Sequence, residues 1–431
     1  MRNEIIYDIA GIGIGPFNLG LAALSEPLKD IKTIFIEQKP EFSWHEGMMI
    51  PGTTLQVSYL ADLVTLADPS SKFSYLNYLR KSNRLLQFGI HEKSYITRSE
   101  YNRYCRWVCT QLNNLQFGCC VKMIAYNTAH NYFEIKMKNT VDNKTDTILA
   151  KHIVVGAGTR PAIPERFDDY LGENVIHSSS YLYYKDDIMR AKNIAVVGSG
   201  QSAAEIFFDL LNSVNSSSTR LNWLTKSDRF YAMEHTKLNY EMTSPDYIDF
   251  FYGLDREVKE QLLKNQFSLY KGINHQLIDA IYDKLYYMHM EEQKQQVAIH
   301  PHVELTGIIK RADNEYALTF YHNAAKKNFG VLSDFVILAT GYQYGFPHFL
   351  RQLKNLIQFD QSGNYKVNRN YSIDDADRLF VQNAEMHTHG FNTPDLGLGA
   401  YRNAVIINSI LGGKTYPIDE ATCFQTFGVA V

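Results

Sequence analysis

Gly11-Ile12-Gly13-Ile14-Gly15-Pro16-Phe17-Asn18 follows the short apolar run Ile5 to Ala10 and leads into the apolar stretch Leu19 to Leu24. The order is strand, glycine turn, helix, with the helix expected to begin near Pro16. Glycines at such a turn let the chain reverse sharply. They also let a pyrophosphate approach bare backbone N–H groups at a helix start, where the dipole favours an anion. The next strand, Lys32 to Ile36, ends in Glu37 with Gln38 beside it, and an acid at that place can accept hydrogen bonds from ribose hydroxyls. Asn18 stands where a third glycine is usual. Over this stretch alone, a glycine turn of an unrelated α/β unit would look the same.

A second cluster repeats the pattern. Ile194 to Val197 reads as a β-branched strand, Gly198-Ser199-Gly200-Gln201-Ser202 as the turn, and the residues up to Leu211 as an apolar helix. The strand after it runs from Arg220 to Thr225 and is capped by Lys226 instead of an acid. A cation and a hydroxyl there suit a 2′-phosphate, so NADPH is expected in preference to NADH; the plainer reading of Lys226 and nearby Arg229 is a solvated surface turn. Two more strands break into glycine, His152 to Gly158 and Asp334 to Gly341, the latter carrying Thr340. Together these four segments predict an α/β protein with two Rossmann-like dinucleotide-binding domains, one for FAD and one for NADPH, hydride passing where they meet.

The expected organisation is a first FAD-binding part over 1–185, an NADPH-binding domain over 186–335, and a return to the FAD domain over 336–431 that closes the substrate site. Tyr and Leu at helical spacing within 240–292 predict a small helical substrate-binding subdomain, although most such aromatic stripes are core. Residues 213–219 read as a polar loop between helix and strand.

The 431 residues suggest roughly three folding units. With 45% hydrophobic and 21% charged residues the chain can offset its conformational entropy and is not a disordered protein. Its 43 Lys plus Arg against 46 Asp plus Glu, a net charge of −3, argue against a protein made to grip nucleic acid or an anionic membrane. The five cysteines include no C-x-x-C, so neither a metal cluster nor a dithiol centre is expected, and they read as reduced packing thiols. Met1-Arg2-Asn3-Glu4 runs straight into a strand and no apolar run approaches the ~18 residues of a membrane span. The expectation is a cytoplasmic enzyme acting on a small molecule.

Further segments carry a resemblance. Phe42-Ser43-Trp44-His45-Glu46-Gly47-Met48, Leu55-Gln56-Val57-Ser58-Tyr59-Leu60, Phe73-Ser74-Tyr75-Leu76, Ala339-Thr340-Gly341-Tyr342 and Thr388-His389-Gly390 stand in order with the two glycine turns. The chain thereby resembles the microbial N-hydroxylating flavin monooxygenases, which hydroxylate the terminal amine of lysine or ornithine in siderophore assembly. The resemblance implies FAD, NADPH and dioxygen as reactants and a homotetramer or homodimer. It implies that Trp44, His45 and Gln56 lie near the flavin and Asn274 near nicotinamide and substrate, with Gln56 and Asn274 as the positioning groups of catalysis. Oxygen would be activated at the flavin C4a carbon, and a neutral amine would attack it.

One departure bears on the substrate. In the amino-acid hydroxylases the position five residues after the equivalent of Gln56 is typically a lysine that pairs with the substrate carboxylate; here it is Ala61, and Tyr240 stands near the head-group stretch. Burying a carboxylate without a cation is costly. The expected substrate is therefore a primary amine without a carboxylate, such as putrescine, cadaverine or histamine. L-lysine or L-ornithine remains the alternative if another Lys or Arg supplies the charge, and a ketone or sulfide the more distant one.

Overall fold

Ile6–Ile12 is the strand on which the first sheet is built, and its residues explain its place. Ile9 and Ala10 are fully buried, and Gly11 has no side chain because the Phe35 ring of the adjacent strand occupies that space, 2.1 Å from where a Cβ would sit. The computed structural model describes residues 5–213, 219–234, 236–291, 296–311 and 315–429. The start Met1 to Glu4 and most of the polar loop, 214–218, lie outside the described residues.

The first sheet has seven strands. Leu115–Gln116, Thr33–Ile36, Ile6–Ile12 and the second half of Thr145–Val155 run parallel, and Leu379–Val381 joins the last of these from the far end of the chain. The first half of Thr145–Val155 continues instead into an antiparallel meander with Tyr132–Asn139 and Cys119–Asn127. Pro16–Ser25 begins on its proline, whose fixed φ and missing N–H cost nothing at a helix start. The helix buries Leu19, Leu21, Ala22 and Leu24 against Phe35, Val154 and the helix Gly399–Leu411.

The second sheet is wholly parallel in the order Gln296–His300, Arg220–Leu224, Asn193–Val197, Phe335–Leu338, Val175–His177. In its middle, residues 194–197 and Phe335–Leu338 are apolar and buried, as expected where both faces are covered. One face carries the helix Gln201–Ser213. The other carries a three-stranded antiparallel sheet, Val303–Lys310, Tyr316–His322 and Lys327–Ser333, through Phe320, Leu318 and Val303.

The chain passes between the two domains twice, and the crossings lie side by side: Arg160–Pro161 pairs antiparallel with Tyr342–Gln343. Relative to the expected boundaries, Val175–His177 lies before 185/186 and Phe335–Leu338 spans 335/336. Val175–His177 and Phe335–Leu338 are strands of the second sheet, and the short Val-Ile-His segment has too few residues to announce itself in sequence.

Helices occupy the stretch expected to be helical, but they serve two cores. Tyr247 and Phe251 of Pro245–Tyr252 pack with Phe391 from the returning segment, whereas Ile281 and Met288 of His275–Met290 pack against the face of Gln201–Ser213. All five cysteines are free thiols. No helix among the described residues is long and apolar enough to cross a membrane, and none of their His, Cys, Asp and Glu form a group that could hold a metal ion.

Candidate active site at the domain junction

The two glycine turns are built alike, down to individual bonds. Gly13 N donates to Ile36 O at 2.8 Å and Gly198 N to Leu224 O at 2.9 Å; Gly156 N donates to Ile12 O at 2.9 Å and Ala339 N to Val197 O at 2.8 Å. Gly13 has φ +89° and Gly198 φ +144°, backbone positions that favour glycine. A Cβ on Gly13 would fall 2.5 Å from the Gly156 carbonyl oxygen, and one on Gly198 2.2 Å from that of Ala339. Close approach of two strands, at each turn, is what the missing side chain permits.

Between the turns runs a cleft of about 1750 Å³. A Cβ on Gly15 would meet nothing, and one on Gly200 only the Lys271 carbonyl oxygen at 3.9 Å, so each helix start is open where the cleft wall lies. Gly15 caps Pro16–Ser25 with no side-chain bond to its N–H groups, leaving them for a ligand. The buried Gln56 Nε2, which has no hydrogen-bond partner among the described residues, also belongs to the cleft wall. Open turns at two helix starts and an orphaned donor between them fit two dinucleotides, FAD and NADPH.

Glu37 sits at the end of Thr33–Ile36, where its carboxylate accepts the N–H of Ile14 at 2.9 Å and of Lys39 at 3.0 Å. That fixes it beside the first turn with lone pairs to spare. Asn18 replaces the usual third glycine because its amide is used in packing: Nδ2 donates to Gly13 O at 2.8 Å and Oδ1 accepts from Gln382 Nε2 at 2.7 Å. In the second domain Thr225 and Lys226 line the cleft at the end of Arg220–Leu224. Lys271 lies close enough to Lys226 that the two charges repel; burial and that repulsion lower the Lys271 pKa.

Trp44 and His45 form the cleft wall on the first domain. Trp44 packs edge-on against Tyr101 with centroids 5.3 Å apart, and its backbone N–H donates to Asn102 Oδ1 at 3.2 Å. His45 has φ 50° and packs against Tyr342, which carries the chain back from the second domain. Its ring is reachable from the cleft yet enclosed by protein; that enclosure, then Arg98 and Lys39, lower its pKa to about 4, so it is neutral at pH 7. At Gly47 a Cβ would stand 2.0 Å from the Ser179 carbonyl oxygen, so this loop fits against the second domain only with glycine there.

A polar relay crosses the junction. Arg98, at the start of Arg98–Cys109, donates to both Glu205 oxygens at 2.8 and 2.9 Å; Gln201 Nε2 donates to Glu205 Oε1 at 2.8 Å, and Asn274 N donates to Gln201 Oε1 at 2.8 Å. Burial raises the Glu205 pKa, against the lowering effect of Arg98 and Gln201.

Of the residues singled out in sequence, Gly15, Pro16, Asn18, Trp44, His45 and Gln56 line the cleft from the first domain. Gly198, Gly200, Gln201, Ser202, Thr225 and Lys226 line it from the second, and Thr340, Gly341 and Tyr240 complete the set. Gly11 and Gly13 shape the first turn from behind, and Glu37 and Gln38 stand at its edge; none of the four lines the cleft. Two others do not line it either. Ala61 is 6% exposed and held by its N–H to Ser58 O. Asn274 caps His275–Met290, its Oδ1 accepting from Gln276 N at 2.9 Å. Sequence reasoning missed Arg98, Lys271 and the returning wall that includes Gln382, Thr393 and Asp395. Only Thr388-His389-Gly390 marked that wall, and His389 itself is buried behind it.

Comparison with known proteins agrees with this architecture. The family model described as L-lysine 6-monooxygenase/L-ornithine 5-monooxygenase matches residues 5–344. A putrescine N-hydroxylase of Shewanella oneidensis is 45% identical over 425 residues, covering 99% of this chain and 85% of its own. The FAD-bound crystal structure of DfoA, the cadaverine monooxygenase of the desferrioxamine pathway in Erwinia amylovora, superposes with a TM-score of 0.96 at 42% identity, covering 99% of this chain and all of its own (100%). An ornithine N-hydroxylase of Kutzneria with reduced FAD, NADP⁺ and L-ornithine gives a TM-score of 0.88 at 26% identity over 95% of this chain and 99% of that one. The chain belongs to the L-lysine 6-monooxygenase/L-ornithine 5-monooxygenase family and is a flavin- and NADPH-dependent N-hydroxylating monooxygenase.

Proposed function

We propose that this enzyme N-hydroxylates an aliphatic diamine of the putrescine or cadaverine kind, with O2 as co-substrate, for siderophore assembly. The observation that carries this reading is the commitment of the cleft's cations. Arg98 is spent on Glu205, Arg166 on Glu304 and the Leu305 carbonyl, and Lys39 on the Ser43 carbonyl. Lys226 and Lys271 stand together in the second domain. With alanine at position 61 and Arg98, Arg166 and Lys39 engaged, an amino-acid carboxylate would have to draw on Lys226 or Lys271, the cations of the second domain, and burying that group unpaired is unfavourable. The substrates named for the Shewanella and Erwinia relatives are diamines, which supports the same reading.

In this reading the Gly13 and Gly15 turn with Glu37 and Gln38 holds FAD, and Gly198, Gly200, Ser202, Thr225 and Lys226 hold NADPH. FAD and NADPH together supply the reducing power and the activation of dioxygen. The chain's own part is placement and exclusion of water. Gln56 Nε2 offers a hydrogen bond beside the flavin, Trp44 and His45 wall the same space, and Gln201 orients the nicotinamide end through its bonds to Asn274 and Glu205. Enclosure disfavours an ammonium that has lost its hydration, so the reacting nitrogen is held as the free amine with its lone pair. The domain organisation is an FAD domain interrupted by an NADPH domain between the paired crossings at Arg160–Pro161 and Tyr342–Gln343. The enzyme works in the cytoplasm as a homotetramer or homodimer, and Tyr282, Tyr286, Tyr287 and Met290, all exposed on one helix, support a contact between copies.

The test is hydroxylamine formation from putrescine, cadaverine, histamine, L-ornithine and L-lysine with the purified FAD enzyme and NADPH. A kcat/KM for one linear diamine at least ten times that for either amino acid is expected. Preference for ornithine or lysine would overturn the proposal.

A further inference from the structure

A diamine presents a difficulty that an amino acid does not. Its reacting nitrogen must be neutral while its other end remains an ammonium, and an enclosed ammonium needs an anion. Among the described residues four carboxylates line the cleft: Glu46, Glu234, Glu304 and Asp395. Three are placed elsewhere. Glu46 is exposed and accepts from Tyr183 Oη at 3.0 Å, Glu234 is exposed and accepts from Ser268 Oγ at 2.9 Å, and Glu304 pairs with Arg166 at 3.3 Å.

Asp395 differs from all three. It opens on the cleft but is otherwise enclosed by protein, and no ion pair is formed to it among the described residues. One oxygen accepts from Gly397 N at 2.7 Å and so caps the short turn Leu396–Leu398. Arg402, the guanidinium whose charge reaches Asp395, is engaged with Glu385 at 3.1 Å and with the Thr393 carbonyl at 2.7 Å. Burial pushes the Asp395 carboxyl above its ordinary value, against the lowering effect of the Gly397 N–H and of the Arg402 charge.

Two neighbours point the same way. Tyr240 is close enough for the Asp395 charge to raise its pKa, and its hydroxyl lies 2.9 Å from that of Tyr95. Thr393, only 2% exposed, lines the same cleft with its Oγ1 lacking a hydrogen-bond partner among the described residues. An unpaired carboxylate, a phenol and an unsatisfied hydroxyl on one wall make a receptor for a group that carries positive charge and several N–H donors.

We propose that Asp395, with Tyr240 and Thr393 beside it, holds the distal ammonium of the diamine and selects substrates that carry one. The proposal rests on the diamine reading above. It makes Asp395 a specificity residue that touches the substrate at the end remote from the oxygen transfer.

The experiment compares cadaverine with pentylamine, which lacks the second nitrogen, in the unaltered enzyme and in Asp395→Asn. Asparagine keeps an acceptor for Gly397 N, so the turn retains its cap, and FAD content and the rate of flavin reduction by NADPH report whether the variant is intact. The unaltered enzyme is expected to show a KM for pentylamine at least tenfold above that for cadaverine, and Asp395→Asn to bring that ratio to within threefold of one. A ratio unchanged in Asp395→Asn overturns the assignment while leaving the diamine reading in place. Should the variant not retain FAD, the unaltered enzyme still decides: equal KM values for the two amines overturn the proposal. Preference of the unaltered enzyme for ornithine or lysine instead removes the reading beneath it.

Discussion

Arg98 and Glu205 join the two dinucleotide-binding folds through a two-pronged ion pair, 2.8 and 2.9 Å, with side chains only 15% and 2% exposed. Removing one partner of such a pair strands the other charge in a poorly solvated place. Glu205→Ala is expected to lower unfolding free energy by about 3 to 5 kcal/mol and to weaken NADPH binding, because Gln201 loses its anchor. Urea denaturation with NADPH titration measures both; a loss below about 1 kcal/mol would mean that water already compensates the pair.

The matching glycines separate the two cofactor sites experimentally. A methyl on Gly13 meets the Gly156 carbonyl and one on Gly198 meets that of Ala339, each far inside contact distance. Gly13→Ala is expected to purify without yellow colour. Gly198→Ala should keep its flavin absorbance but lose at least tenfold in the rate of flavin reduction by NADPH. If Gly198→Ala lost flavin and Gly13→Ala did not, the assignment of the two folds would be reversed.

His389 gives the acid limb of stability. It is 1% exposed and stacks on Tyr371 at 4.5 Å; burial, then the Arg369 charge, and Arg402 further off, hold its pKa well below the ordinary 6.5. Below pH 6.5 the unfolded chain takes up a proton that the folded chain refuses. The contribution is therefore full above that pH and is lost as pH falls toward the folded value, at up to about 1.4 kcal/mol per pH unit. His152 and His177 are lowered by burial in the same direction. The check is the difference in slope between the unaltered protein and His389→Gln from pH 6.5 to 5, which should be shallower in the variant; equal slopes would refute the role of His389.

Lys226 tests the choice of nicotinamide nucleotide. A lysine hydrogen bond to a phosphate contributes about 1.5 to 3 kcal/mol, so Lys226→Ala should raise the KM for NADPH about 10- to 100-fold and leave that for NADH within about threefold. A parallel rise for both nucleotides would place Lys226 away from the 2′-phosphate.

The repetition that defines the fold was legible because each turn is local. Gly13 and Gly198 lie between an apolar strand and an apolar helix within a dozen residues, a pattern readable along the chain, whereas the carbonyls that exclude a side chain there, those of Gly156 and Ala339, come from strand ends more than a hundred positions away. The cleft residues carried by those turns were legible for the same reason, whereas Trp44, His45 and Gln56 were singled out only through the resemblance of the segments around them. Asn274 and Ala61 illustrate the limit. Proximity in a motif does not say where a side chain points, and here Asn274 turns its oxygen to a helix end while Ala61 packs behind the wall.

What the amino-acid order determined unaided is therefore the class of protein, two dinucleotide turns in one chain, since that rests on a strand, glycine turn and helix written in consecutive residues. The tertiary structure alone decided where the chain changes domains, the Arg98 to Glu205 junction, and the carboxylate at Asp395 that faces the catalytic cleft. Those depend on residues more than a hundred positions apart meeting across a folded interface, and only burial, which no local pattern reports, makes an ordinary aspartate or arginine chemically distinctive.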